Sequence, residues 1–138
     1  MILVDTSVLI DFFRGKQNET SRRFKSILQE KVPFGINSFI YQEVLQGART
    51  GREFSLLRAY LGTQRFFHPK DPVASYEEAA RMFFDCRQKG ITLRSTIDCL
   101  IAQIAIEHEL VLLHNDRDFE SIAKVRKLRT YRRGKENP

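Results

Sequence analysis

The sequence predicts an α/β protein, a three-layer α/β/α sandwich built around a central and mainly parallel sheet. Short apolar runs at residues 2–4 and 110–113 are typical of strands that are buried on both faces. The segments between the strands carry apolar residues at helical spacing, and strands that alternate with helices pair in parallel through right-handed crossovers. No repeat, linker or low-complexity stretch divides the 138 residues, so we expect one domain with its own core.

Each expected element has a local signal. Strands are predicted at residues 2–4, 32–36, 64–67, 110–113 and 128–131, the last as an edge strand. Helices are predicted at residues 7–14, from Asn18 through the apolar positions 24, 27 and 28, and at residues 38–48, 52–62, 72–89, 96–109 and 119–123. Ser38 and Ser95 (or Thr96) are expected as N-caps, and Gly15 and Gly90 stand where a left-handed residue ends a helix.

Composition narrows the class of protein. The hydrophobic content of 42% is ordinary for a globular chain, and no apolar run approaches the roughly 20 residues of a membrane-spanning helix. Asp5 and Asp11 interrupt the apolar N-terminus and no basic residue precedes it, which is not the pattern of a signal peptide. Cys86 and Cys99 form no metal-like cluster with the histidines and are expected as reduced core thiols. We therefore expect a cytoplasmic protein that does not associate with membranes.

The net charge of +6 is concentrated at the C-terminus. Residues 124–138 hold seven basic residues and one acidic residue, whereas the charges of residues 1–123 balance. A basic block favours nucleic acid or another acidic partner. A solvated tail that keeps the protein soluble explains the same pattern. We expect residues 124–138 to form a basic edge strand and tail of the domain that residues 1–123 build.

Acidic residues stand at strand ends and helix starts. Asp5 ends the first apolar strand, Asp98 lies in the first turn of the most apolar helix, and Asp116 and Asp118 follow the second strong strand. Glu43 interrupts an apolar helix face. In open α/β sheets the carboxyl ends of the strands form the ligand site, and strands one and four can lie side by side, which would bring Asp5 and Asp116 together. Each acid also has a purely structural explanation, as a helix cap or a solvated side chain.

Convergence of these acids predicts a metal site. Packing several carboxylates together costs free energy unless a cation neutralises them. Oxygen ligands without His or Cys favour Mg²⁺, or Mn²⁺ in its place. The matching chemistry is phosphodiester hydrolysis, in which the metal activates water and neutralises the oxygens of an in-line displacement.

Four segments of the chain resemble the motifs of PIN-domain ribonucleases, and among them the VapC toxins of type II toxin–antitoxin systems. The segments are ILVDTSVLIDFF, YQEVLQGA, TIDCLIAQIAIEH and LLHNDRDFESIA, and they occur in the family's order and spacing. Each is short, but four in register make a specific match that covers residues 1–123. The resemblance implies a PIN-like nuclease fold and a Mg²⁺-dependent endoribonuclease that acts as a toxin.

The resemblance also assigns roles to residues. The family's catalytic acids fall on Asp5, Glu43, Asp98 and Asp116. Metal ligands would be Asp5, Asp98, Asp116 and Asp118, the last directly or through water. Thr6 or Ser7 would orient these carboxylates through hydrogen bonds.

Three further residues stand beside the acids. Arg94 and Arg117 are candidates for holding substrate phosphates, or are ordinary surface arginines. His114 departs from the small polar residue that the family often has at this position. We interpret His114 as a polar residue at a strand end and not as a general base.

The resemblance implies an RNA substrate, a cognate VapB-type antitoxin and a homodimer. Other interpretations of the sequence stay open. The chain could be a non-catalytic RNA-binding PIN-like domain that grips RNA with residues 124–138, or an RNA-processing PIN nuclease that is not a toxin. A phosphatase-like or receiver-type domain fits less well, because no second acid stands two residues after Asp5, where such phosphatases have one.

Overall fold

A computed structural model describes residues 1–132 and 135–137 of the chain, and it confirms the predicted α/β sandwich. The strands are β1 (Ile2–Val4), β2 (Phe34–Ile36), β3 (Arg65–Phe66), β4 (Val111–Leu113), β5 (Thr130–Arg132) and β6 (Lys135–Asn137). The helices are α1 (Thr6–Phe13), α2 (Glu19–Gln29), α3 (Ser38–Gln46), α4 (Gly51–Leu61), α5 (Ala74–Gln88), α6 (Thr96–Glu107) and α7 (Arg117–Ile122).

The six strands form one sheet in the order β3-β2-β1-β4-β5-β6. All neighbouring pairs are parallel except the last, in which β6 runs antiparallel to β5. The strand predicted at 128–131 is therefore present as β5, but among the described residues β6 lies outside it at the edge. The first strand of the chain is central, because β1 lies between β2 and β4.

The core lies on both sides of this sheet. Every residue of β1, β2 and β4 is buried, as their uninterrupted apolar sequences predict. Helix α6 packs against α5 and contributes six buried residues, so it forms a large part of the core. Cys86 and Cys99 are both buried and free, which confirms the interpretation as core thiols.

Asparagine and aspartate side chains fix where several helices begin. Asp5 caps α1 and Asp116 caps α7, each accepting the N–H of the residue two positions on. The predicted cap Ser38 is wrong: Asn37 caps α3, and its Oδ1 accepts the N–H of Ile40 at 2.8 Å. Asn37 holds this place because β2 ends at Ile36 and residue 37 is the last one with extended backbone. Gly15 and Gly90 follow their helices with φ values of +75° and +74°, as predicted.

This architecture sets where a site can form. Val4 pairs with Leu113 in the β1–β4 register, and the N–H of Asp5 donates to the carbonyl of Leu113 at 3.0 Å. The two strand ends are therefore tied together at the carboxyl edge of the sheet, as predicted. None of the helices in the described part of the chain is both long and apolar enough to cross a membrane.

Candidate metal centre

Asp5 is a buried carboxylate that is held by Ser7, the residue two positions later in the chain. Its side chain is at the end of β1, where only 5% of the residue is exposed. Its Oδ2 accepts the N–H of Ser7 at 3.0 Å and the hydroxyl of Ser7 at 2.6 Å. Burial raises the pKa of Asp5, the Ser7 hydrogen bonds oppose that rise, and Glu43 adds to it. Asp5 is thus oriented by hydrogen bonds in a site that disfavours its charge.

Asp116 and Asp118 occupy the corresponding place at the end of β4. Asp116 precedes α7, and its Oδ1 accepts the N–H of Asp118 at 2.9 Å. The side chain of Asp116 is 29% exposed, whereas that of Asp118 is 6% exposed. Together with Asp98 they offer three carboxylate oxygens that lie within 4.8 Å of one another. We call Asp98, Asp116 and Asp118 the three-carboxylate group.

Burial and neighbouring charges both act on Asp98, the third member of this group. It lies in the first turn of α6 and is buried. Burial, and then the negative charges of Asp5, Asp116, Asp118 and Glu43, raise the pKa of Asp98 to about 8. Ser95 begins this helix as predicted, without a side-chain capping bond. The other four acids of the predicted site therefore all act on the carboxyl group of Asp98.

Glu43 reaches the site from α3. Its Oε1 accepts the hydroxyl of Thr6 at 2.8 Å, so the first residue of α1 positions it. It is half-buried, and its charge contributes to the raised pKa of both Asp5 and Asp98. The expected contacts of Thr6 and Ser7 with acidic side chains are thus both present, each with a different carboxylate.

Arg94 contacts two members of the three-carboxylate group. Its Nη2 lies 2.8 Å from Asp116 Oδ1, and its Nε lies 3.5 Å from Asp118 Oδ1. Its backbone N–H also donates to Asp118 Oδ2 at 2.9 Å. These acids, Asp116 first, raise the pKa of Arg94. Arg117, the other candidate for binding phosphate, is exposed and lines a cavity of about 410 Å³ together with Asp116, His114 and Tyr131.

Sequence reasoning missed a network that links the two strand ends. The Ser7 hydroxyl, besides donating to Asp5, accepts the N–H of Asn115 at 3.0 Å. Asp11 accepts the side-chain amides of Asn18 at 2.9 Å and Asn115 at 3.4 Å. The two contacts of Asn115 join residues more than 100 positions apart in the chain, so no local pattern signals them. The only available hint is that Asn115 and Asn18 both stand in loops next to predicted site elements.

His114 follows β4 directly and is buried. Its Nδ1 accepts the N–H of Asp116 at 3.2 Å, which places the proton of the neutral ring on Nε2. Among the described residues Nε2 has no hydrogen-bond partner. Burial lowers the pKa of His114. These contacts agree with the interpretation of His114 as a polar residue at a strand end that helps to orient the Asp116 backbone.

The residues present fit a divalent cation. The three-carboxylate group supplies hard oxygen ligands, two of them buried, which is the ligand type that Mg²⁺ and Mn²⁺ prefer. Burial, and then the charges of the neighbouring acids, raise the pKa of Asp98, so the site disfavours a further negative charge. A divalent ion would offset that negative charge. Asp5 is not one of the three grouped residues and acts on the site through its charge on Asp98.

Sequence comparisons place the chain among known proteins. Residues 2–125 match the family model described as PIN domain. Over 129 residues the chain is 30% identical to VapC ribonuclease Mb1587 of Mycobacterium bovis and to ribonuclease VapC11 of Mycobacterium tuberculosis. Each alignment covers 93% of this chain and 96% of the relative.

Solved structures share the fold. VapBC2 from Rickettsia felis, bound to a DNA fragment from its promoter, matches with a TM-score of 0.70 at 18% identity and covers 95% of this chain and 98% of that one. VapBC-1 from nontypeable Haemophilus influenzae matches with a TM-score of 0.70 at 17% identity, over 98% of this chain and 100% of that one. The chain therefore belongs to the PIN-domain family, in the group that contains the VapC ribonucleases.

Proposed function

We propose that this protein is a metal-dependent endoribonuclease, the VapC-type toxin of a type II toxin–antitoxin pair. The observation that carries the proposal is the three-carboxylate group, at the carboxyl end of β4 in a PIN domain. The curated relatives are named ribonucleases, and their 30% identity extends over almost the whole chain. We propose Mg²⁺ as the ion, with Mn²⁺ able to replace it.

The proposed ligands are Asp98, Asp116 and Asp118, with Asp5 as a fourth carboxylate. A divalent ion held here would activate water and neutralise charge on the reacting phosphodiester. Asp98 must lose its proton for the ion to bind, and the surrounding acids favour that exchange because they attract the ion. Glu43 and Asp5, oriented by the hydroxyls of Thr6 and Ser7, hold further negative charge beside the ion.

Arg94 and Arg117 are the proposed contacts for RNA phosphates. Both lie at the rim of the site, where Arg94 is 63% exposed and Arg117 is exposed beside Asp116. A guanidinium group can bind a phosphate through two parallel N–H donors. The strongly basic C-terminal residues are proposed to add binding energy that is independent of RNA sequence.

Partners follow from the relatives. The matched solved structures are complexes named VapBC, so we propose that a VapB-type antitoxin binds and silences this chain. We also propose a homodimer. Exposed apolar side chains at the start of and along α5, namely Val73, Tyr76 and Phe84, offer a surface for that contact. A cytoplasmic location remains a prediction from the sequence.

The test is an RNA cleavage assay on the purified protein. We expect cleavage with Mg²⁺ or Mn²⁺, loss of cleavage in EDTA, and loss of most activity in the Asp5→Ala variant. Glu78→Gln, an exposed substitution on α5, is the matched control and is expected to cleave like the unmodified protein. Cleavage that persists in EDTA would refute the metal mechanism. RNA binding without cleavage, lost on removing residues 124–138 but not in Asp5→Asn, would favour the non-catalytic alternative.

A further inference from the structure

The side chain of Arg94 already places a positive charge on the acids that would hold the metal. It contacts Asp116 Oδ1 at 2.8 Å and Asp118 Oδ1 at 3.5 Å, so one guanidinium group spans two of the three carboxylates. The Arg94 side chain is 63% exposed, although one of the two carboxylates that it contacts, Asp118, is buried. The guanidinium thus partly neutralises the three-carboxylate group while most of its own surface stays in solvent.

Neither aspartate needs this guanidinium to keep its orientation. Asp116 Oδ1 also accepts the backbone N–H of Asp118 at 2.9 Å. Asp118 Oδ2 accepts the backbone N–H of Arg94 at 2.9 Å, a bond that any residue except proline makes at position 94. Both carboxylates therefore retain a backbone donor when the Arg94 side chain moves away.

We infer that Arg94 is a built-in competitor of the catalytic metal, a resident cation that a divalent ion must displace from Asp116 and Asp118. The inference rests on the proposed function, since it concerns the same metal site. Two cations that draw on the same carboxylates repel each other at short range, so the binding of one weakens the binding of the other. This coupling is reciprocal, and it makes position 94 a determinant of metal affinity.

The exposure of Arg94 makes the exchange feasible. A long side chain that is mostly in solvent regains rotamer freedom when it leaves, which offsets part of the lost ion pair. Once displaced, the guanidinium stays tethered next to the metal by the backbone of residue 94. It is then available to the phosphate groups that the proposed function assigns to it.

The experiment is a titration of the 138-residue protein with Mn²⁺ and with Mg²⁺ in the absence of RNA. Calorimetry measures the affinity for each ion. Arg94→Gln removes the charge and keeps the backbone N–H bond to Asp118. We expect this variant to bind Mn²⁺ roughly three- to tenfold more tightly than the unmodified protein. The expected change is small because solvent screens the charge of an exposed arginine. Arg94→Lys, which keeps the charge but not the two-point contact, should fall between this variant and the unmodified protein.

Arg81→Gln is the matched control. Arg81 is an exposed arginine whose side chain pairs with Asp85 on α5, so its loss changes the net charge equally without touching the site. Its Mn²⁺ affinity should equal that of the unmodified protein. Thermal melts give a second readout: without metal Arg94→Gln should melt at a lower temperature than the unmodified protein, and saturating Mn²⁺ should close that gap.

The possible failures are distinguishable. If Arg94→Gln binds Mn²⁺ more weakly or equally well, Arg94 orients the ligands or plays no part in metal binding, and the competition is refuted while the metal site stands. If the unmodified protein binds neither ion, the proposed function is refuted and this inference with it. If Arg81→Gln also binds Mn²⁺ more tightly, the change in net charge alone explains the effect, and the inference is overturned.

Discussion

The ends of β1 and β4 lie side by side, and each strand is followed by an aspartate that caps the next helix. The carboxylates of these two aspartates nevertheless have different surroundings. Asp5 is buried and hydrogen-bonded to the hydroxyl of Ser7. Asp116 is partly exposed and paired with Arg94. The same local motif thus yields a carboxylate fixed by neutral donors at one strand end and a carboxylate open to cations at the other.

This difference separates two kinds of carboxylate at one edge of the sheet. The β1 end supplies a negative charge whose position is set by short-range hydrogen bonds. The β4 end supplies carboxylates that already pair with one cation, Arg94, and that we propose as metal ligands. Charges from both strand ends act on Asp98 of α6, because Asp5 and Asp116 each raise the pKa of Asp98. Substitutions that change one strand end at a time can therefore separate the two contributions.

The largest effect is expected at Asp98, where the two strand ends act together. Asp98→Asn keeps the shape of the side chain and removes its charge, so we expect Mn²⁺ binding to fall below detection and RNA cleavage to drop by at least about 100-fold. At about pH 8 and above, the melting temperature without metal should not fall, because the substitution removes an ionised carboxylate that the surrounding acids repel. Calorimetry, a cleavage assay and thermal melts would measure these changes. A variant that still binds Mn²⁺ normally would place the metal elsewhere.

The difference between the two strand ends is tested by comparing two single variants, Asp116→Asn and Asp5→Asn. Both should lose cleavage, since both remove a charge near the proposed ion. Metal affinity should separate them: we expect a loss of about tenfold or more for Asp116→Asn, a member of the three-carboxylate group, and a smaller loss for Asp5→Asn. Equal losses in a Mn²⁺ titration would mean that the two strand ends do not differ in role.

The pH dependence tests whether both strand ends act on Asp98. With a folded-state pKa of about 8 against an ordinary value of 3.8, Asp98 binds a proton more tightly in the folded chain. Its contribution to the free energy of unfolding is therefore largest at low pH and is lost as pH rises from about 4 to about 8. Metal must displace this proton, so affinity should increase by up to about tenfold per pH unit between pH 6 and 8.

Asp98→Asn supplies the control for that pH profile. The difference in stability between the unmodified protein and Asp98→Asn, measured without metal by denaturant unfolding, should decline across the same pH range. A difference that stays constant from pH 5 to pH 9 would show that burial and the neighbouring acids do not hold Asp98 protonated.

The smallest effect is expected for Ser7→Ala, which loosens the β1 end and its link to the β4 end. The variant loses a hydrogen bond to Asp5 and leaves the N–H of Asn115 without its partner. We expect a loss of about 1–2 kcal/mol in unfolding free energy and roughly tenfold in cleavage rate. Ser55→Ala, at an exposed position of α4, is a suitable control. Unchanged cleavage in Ser7→Ala would show that Asp5 needs no such orientation.

The position of the site could be predicted because it depends on short-range signals. The apolar runs before Asp5 and Asp116 identify two buried strands, and parallel pairing brings their ends together. Asp98 stands out as an acid in the first turn of the most apolar helix. Each of these statements needs only the local sequence and a general rule of α/β topology.

The remaining features depend on contacts that local sequence does not encode. Neither the pairing of Arg94 with Asp116 nor the bond from Asn115 to Ser7 follows from periodicity, because both depend on how loops meet. Ser38 and Asn37 are adjacent and chemically able to cap a helix, so only the end of β2 decides between them. The polar sequence of β6 gave no strand signal, which is why β5 was expected at the edge.

The pairing of β1 with β4 also governs when the candidate site can assemble during synthesis. The hydroxyl–amide contact between residues 7 and 115 joins positions 108 apart, so β1 emerges from the ribosome long before β4. At ordinary translation rates that delay is roughly 5 to 20 s. Throughout this interval the nascent chain carries Asp5 without Asp116 or Asp118 beside it. Under the proposed function, the nascent chain therefore cannot assemble the metal site, and cannot cleave RNA, before residue 118 has left the ribosome.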